Sequence, residues 1–336
     1  MRFKKFMCVL WLVGFIFGAS VLLTETAGVA EAKEIFVKIG TGSLGGTYYP
    51  VGVAMGALFS KTIPGMTSSA MSSGGTVDNI EMLNEGEIQM AICIEDIAKK
   101  AYFGEAQYAN NKIDNYKVLT VLWPNVQHIV SRKGISKISD LEGKRIIVGA
   151  TKSGTEVNAY EVLGELGIFF RENDPEHKPN SIPVFMNYTE GADVLKNRQA
   201  DAAWNNSLPP ASSVMDLLST GDFEIIGLTK EQQDKVTAHK SKAYFPHTLK
   251  ANTYQNQPND LLVISTSNVM LVSDSLDDET TYQLTKQIFE NTPALEAAHA
   301  VAAKYLTVEN AVTGTSIPFC EGAIRYYRER GVWKDK

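Results

Sequence analysis

Cysteine is scarce in this chain, with three in 336 residues. That excludes a small scaffold held together by disulfides. Histidine is scarce too. His128, His177, His239, His247 and His299 are scattered, without the short spacings of a metal site. Beyond residue 23 no apolar run approaches a membrane-spanning length. Excess positive charge is missing: 32 Lys+Arg stand against 38 Asp+Glu, a net charge of −6. A mildly acidic chain is a poor partner for DNA, RNA or anionic membrane surfaces. There is no G-x-S-x-G elbow, no Walker A lysine and no local Cys/His pairing. Nothing positive points to an enzyme or to a cofactor.

What is present is an ordinary globular composition, 44% hydrophobic and 21% charged, at a length that suits about two domains. The N-terminus carries Arg2, Lys4 and Lys5, then an uncharged, mostly apolar run from Phe6 to Leu23. A small, polar stretch follows and ends Ala30-Glu31-Ala32. This is the order of a secretory signal peptide, with cleavage expected after Ala32 and a periplasmic destination. Cys8 leaves with residues 1–32. Cys93, in the apolar run Met90–Ile94, and Cys320 are expected to remain as free thiols.

Downstream, short apolar strands alternate with amphipathic helices. Ile35–Ile39 reads as a strand. Val51, Ala54, Met55, Leu58 and Phe59 then mark one helix face, with Pro50 in its first turn. Further strands are expected at Gln89–Ile94, Lys117–Trp123, Gln127–Arg132, Arg145–Ala150, Ile182–Met186, Ala202–Trp204, Glu224–Leu228, Leu261–Ser265 and Asn268–Val272. Helices are expected at about 154–166, at Asp277–Glu290, at Ala294–Tyr305 and at Glu321–Arg330. Such alternation predicts an α/β architecture with largely parallel sheets in two serial units. No linker separates the units, so strands are expected to cross between two lobes, near Gln127–Arg132 and Ile264–Val269. Lobe I is expected to comprise residues 33–128 and 264–336, and lobe II residues 129–263.

Three polar turns carry the candidate chemistry. Gly40-Thr41-Gly42-Ser43-Leu44-Gly45-Gly46-Thr47 follows a strand and opens a helix. Its glycines satisfy G-x-G-x-x-G by the letter. Residues 60–66 supply neither the following strand nor the acid that a dinucleotide site requires, so that reading is rejected. What remains is backbone N–H at a helix start, which favours an anion. Ser72-Ser73-Gly74-Gly75-Thr76 and Thr151-Lys152-Ser153-Gly154-Thr155-Glu156 repeat the construction. The three turns are expected to converge on one cleft outside the strand ends. Glu95 and Trp204-Asn205-Asn206, each at or just past a strand end, are further candidates for its wall.

These segments, in this order, resemble the TAXI family, the solute-binding proteins of tripartite ATP-independent periplasmic (TRAP) transporters. The resemblance rests on Ile39–Gly52, Asp140–Arg145 with Gly149, Ser153–Glu156, Ala200–Ala203 and Ile317-Pro318 with Gly322–Tyr327. It implies a two-lobed type II periplasmic-binding-protein fold that closes on a glutamate-like, glutamine-like or other small carboxylate ligand. Delivery to membrane permease subunits is implied as well, by a monomer without cofactor. Carried over residue by residue, it places Ser43, Gly45, Gly46, Thr47, Tyr48, Ser153, Gly154, Thr155 and Glu156 at the ligand. Gly75, Thr76, Glu95, Trp204 and Asn205 join them from the reading of the residues themselves. The chain departs from the family pattern at Glu95, at Trp204-Asn205 and at Phe319-Cys320-Glu321. A cleft-facing Glu95 would favour a ligand with an ammonium group.

Overall fold

The computed structural model describes residues 34–334. The expected leader, residues 1–32, lies outside the described residues. The chain begins β1 (Ile35–Gly40), α1 (Tyr48–Thr62), β2 (Met66–Met71), α2 (Thr76–Glu85), β3 (Met90–Ile94) and α3 (Glu95–Phe103). The long β4 (Tyr116–Arg132) leads to β5 (Arg145–Gly149), α4 (Gly154–Glu165), β6 (Ile182–Phe185), α5 (Tyr188–Lys196) and β7 (Ala202–Asn206). Next come α6 (Ser212–Ser219), β8 (Phe223–Ile225), α7 (Lys230–Thr237) and β9 (Phe245–Leu249). A second long strand, β10 (Leu261–Ser273), precedes α8 (Asp278–Glu290), α9 (Thr292–Glu296), α10 (Ala300–Tyr305), α11 (Val308–Ala311) and α12 (Glu321–Glu329).

The strands run β2-β1-β3-β10-β4-β7-β5-β6, with β8 beside β4 and β9 beside β10. Parallel pairing holds β1 to β2 and β3, and β5 to β6 and β7. The two long strands are antiparallel to their neighbours and belong to both halves. β4 pairs with β10 up to Val126 and with β7 from Gln127 onward. β10 pairs with β9 through Ser265 and with β3 from Asn268. The sheet is therefore mixed, whereas alternation alone suggests mainly parallel pairing.

This is the two-lobed α/β architecture, and the cores divide with it. One cluster holds Val37 through Trp123, Val269–Val272 and the C-terminal helices, with Leu208 as its one member from the middle of the chain. Two others hold Val126 through Ile264. Local sequence explains the packing of α1 on β2. Gly52 and Gly56 lie one turn apart, and a Cβ on Gly56 would stand 3.3 Å from Ser69 Cα of β2, one on Gly52 3.5 Å from Ala70 Cβ. Two glycines on one face let the helix settle against the strand.

Three expectations change. The two pairs of short strands expected at 117–132 and 261–272 are each one continuous strand. The expected helix Ala294–Tyr305 is two short helices. Contrary to the reading of residues 60–66, a strand does begin there: β2, Met-Thr-Ser-Ser-Ala-Met, at the sheet's edge. Its partly exposed polar residues give no apolar run. It also ends without an acid, at Met71-Ser72, so the dinucleotide site still lacks its ribose partner. Cys93 and Cys320 are free and buried.

Candidate functional site

The first turns of α1, α2, α4 and α5 meet around one cavity of about 50 Å³ between the lobes. Volume of that order accommodates a few water-sized groups. Ser43, Gly46, Thr47, Tyr48, Gly75, Thr76, Ser153, Gly154 and Thr155 all line it. The three polar turns thus come together, two from one lobe and one from the other. Among the described residues no charged side chain lies on the wall.

Each turn is held by its own sequence. The Asn79 carboxamide, fully buried, donates to Thr41 O at 2.8 Å and Ile92 O at 2.9 Å, joining the turn after β1 to the middle of β3. Gly75 sits at φ 112° and ψ −148°, a conformation that only glycine adopts freely. Thr76 Oγ1 accepts from the Ile94 amide at 3.0 Å. In the other lobe Ser153 caps α4, accepting from Glu156 N at 2.9 Å. First-turn amides of a helix have no intrahelical acceptor, so these starts present N–H groups and a partial positive charge to the cavity.

The lobes touch along the cavity rim. Tyr188 N donates to Ser43 Oγ at 3.1 Å, Ser212 Oγ to Gly45 O at 3.1 Å, and Asp78 N to Lys152 O at 3.1 Å. The Tyr188 hydroxyl lies 2.6 Å from Thr155 Oγ1 and donates to Asn206 O at 2.9 Å. Burial pushes the Tyr188 phenol up to about 12 and holds that of Tyr48 well above its ordinary value, so both stay neutral donors.

Five candidates stand elsewhere. Gly45 seals the seam beside the cavity: a Cβ there would meet Ser213 Cβ at 3.1 Å. The Glu156 carboxylate accepts from Lys152 N at 3.0 Å and so closes its own turn. Glu95 engages Thr315 and Ser316, and burial raises its pKa against those bonds. It does not line the cavity, whereas its neighbour Ile94 does. Trp204 is packed into the lobe II core, and Asn205 donates to Ser213 Oγ at 2.9 Å. Asn206, the other amide expected at this strand end, lines the cavity. It shares Trp204's face of β7, two residues nearer the strand end.

The sequence reading did not single out Asn125, Asn187 and Tyr188, which also line the cavity. Asn187 caps α5, accepting from Thr189 N and Glu190 N. The pattern Asn187-x-x-Glu190 was the available signal for a helix start there. Among the described residues no helix is long and apolar enough to cross a membrane, and no cluster of side chains could hold a metal ion.

Fold and site together describe a two-lobed α/β protein with an uncharged polar cleft at its helix starts. The chain belongs to the NMT1-like family, a family of periplasmic solute-binding domains, whose model matches residues 39–331. A solved protein of Bordetella bronchiseptica RB50 shares the fold, with TM-score 0.51 and 14% identity over 87% of this chain and 88% of that one. The alkanesulfonate-binding protein SsuA from Xanthomonas axonopodis pv. citri, bound to MOPS, gives TM-score 0.46 and 13% identity over 89% and 80%. A TRAP periplasmic solute-binding protein from Shewanella oneidensis, with bound succinate, gives 0.45 and 13% over 81% and 80%.

Proposed function

We propose that this protein is an exported monomeric solute-binding protein that captures a small carboxylate or amino acid and delivers it to a TRAP-type permease. One observation carries the ligand class: helix starts from both lobes converge on a cavity with no charged side chain on its wall. Backbone N–H groups then supply the recognition of an anion. The TAXI-like opening motif supports the permease type, since Ser43, Gly46, Thr47 and Tyr48 of that motif stand on the cavity wall. With Glu95 turned to Thr315, it gives no reason to prefer an amino acid over a plain dicarboxylate.

The ligand completes closure. Only closure brings the amides of Thr76 and of Gly154–Thr155 onto one molecule. The lobes, residues 33–128 with 264–336 and residues 129–263, swing about the crossing of β4 and β10. Thermal denaturation with L-glutamate, L-glutamine, 2-oxoglutarate and succinate tests the reading. A ligand at 100 times its dissociation constant stabilises by about 2.7 kcal/mol. If no compound raises the melting temperature, the ligand class is wrong.

A further inference from the structure

Two buried carboxamide oxygens of the cavity residues have no partner among the described residues: Asn125 Oδ1 and Asn206 Oδ1. The side chains are 1% and 6% exposed. An orphaned buried acceptor costs free energy unless something satisfies it.

The orientation of both amides follows from the groups behind them. Behind Asn206, the Glu161 carboxylate is ion-paired to Lys100 at 2.9 Å and can only accept. The Tyr244 hydroxyl donates to it, so the Tyr244 oxygen accepts from Asn158 Nδ2 at 3.0 Å. Asn158 Oδ1 therefore accepts from Asn206 Nδ2 at 2.8 Å, which leaves Asn206 Oδ1 free. Behind Asn125, Asn268 Nδ2 donates to the backbone carbonyl of Trp123 at 3.0 Å. Asn268 Oδ1 then accepts from the Tyr48 hydroxyl, whose oxygen accepts from Asn125 Nδ2 at 3.4 Å. Here too the carboxamide oxygen is left over. One chain is anchored on a carboxylate and the other on a main-chain carbonyl. Neither amide turns over without placing two acceptors face to face.

We infer that Asn125 and Asn206 are the specificity-determining residues of the cleft, a fixed pair of acceptors that selects a ligand carrying a hydrogen-bond donor as well as an anionic group. The donor is an ammonium or a hydroxyl, and a plain diacid has neither. Glu161 and Tyr244 are positioning residues that act through Asn158. The inference rests on the solute-binding reading and narrows it.

The test is calorimetric titration of the protein with two matched series. L-Aspartate, L-malate and succinate differ at one carbon in bearing an ammonium, a hydroxyl or hydrogen; L-glutamate, 2-hydroxyglutarate and glutarate repeat the comparison one carbon longer. The donor-bearing members are expected to bind at least about tenfold tighter than the donor-free diacid of the same length. The ranking of ammonium and hydroxyl arms tells which donor is selected. Asn206→Leu should erase most of that ratio. Tyr244→Phe, two hydrogen bonds from the cavity wall, should reduce it. A donor-free diacid that binds as tightly as its partners overturns this inference and leaves the solute-binding reading standing. An unchanged ratio in Tyr244→Phe overturns the positioning role. Binding of none of the six overturns both readings.

Discussion

Thr47 and Ser207, 160 positions apart in sequence, meet across the cleft with hydroxyl oxygens 2.8 Å apart. The Thr47 amide donates to Ser207 Oγ at 3.2 Å, and Thr47 Oγ1 donates to Leu208 O at 3.2 Å. The Thr47 proton is thus spent on Leu208, and Ser207 is the donor between the two hydroxyls. Ser207→Ala leaves the Thr47 amide buried without an acceptor when the lobes are shut. We expect the closed state to weaken by about 1–2 kcal/mol. Ligand affinity would fall accordingly, with little change in the unfolding midpoint of the ligand-free protein. Calorimetric titration beside urea unfolding checks this, and unaltered affinity would uncouple the contact from binding.

Gly154 tests closure by steric means. A Cβ there would stand 2.6 Å from Ile94 Cδ1 and 2.8 Å from Thr76 Oγ1, both in the opposite lobe. Gly154→Ala wedges the seam against Ile94, a buried member of the lobe I core. The cost, of order 1–3 kcal/mol for overpacking, is expected in ligand affinity and not in the melting temperature of the free protein. Equal affinity in wild type and variant would mean the lobes need not approach so closely.

His128 sets a pH limit. It is fully buried beside the Tyr254 hydroxyl, and burial, with His247 nearby, lowers its pKa to about 4. In the unfolded chain an ordinary imidazole titrates near 6.5. The unfolded state therefore takes up the proton first. Stability is complete above about pH 6.5 and is lost as pH falls towards 4, by about 3 kcal/mol from this group. The lowered His247 and His299 act in the same direction. Glu95 and Asp96, raised by burial, act oppositely in the carboxylate range, favouring the folded state as they protonate. Urea unfolding at pH 7 and pH 4.5 should show the loss, and His128→Leu should flatten it. The same slope in that variant would assign the effect to other groups.

Lys100 lies 2.6 Å from Asp96 in its own lobe and 2.9 Å from Glu161 in the other. Its side chain is 11% exposed, so the ion cluster is largely desolvated. Lys100→Met strands two carboxylates and is expected to destabilise by about 3–5 kcal/mol. Adding Asp96→Asn and Glu161→Gln should recover most of the loss. Failure to recover would show that the lysine stem, not its charge, matters.

The sequence made most of the fold legible because core strands and helix faces carry period-2 and period-3.6 apolar patterns. It was misleading where polar residues interrupt a paired backbone. Pro124-Asn125 and Thr266-Ser267 read as breaks, yet they lie inside β4 and β10 where the strands cross between lobes. The glycine-rich turns were visible as site elements because helix starts need special backbone and capping residues. Tyr188 and Asn125 were not, since an isolated polar side chain shows its cleft position only once two distant segments are packed together. Trp204 was legible as a residue near a strand end, but it lies two positions short of that end, on Asn206's face and packed in the core, and Glu95 stands past β3 as the first residue of α3.

Closure on a ligand is the central claim, and small-angle scattering measures it directly. The protein alone and with the carboxylate that most raises its melting temperature should differ, the liganded form having the smaller radius of gyration. Gly154→Ala should contract less at the same occupancy. An identical radius with and without saturating ligand would contradict the account.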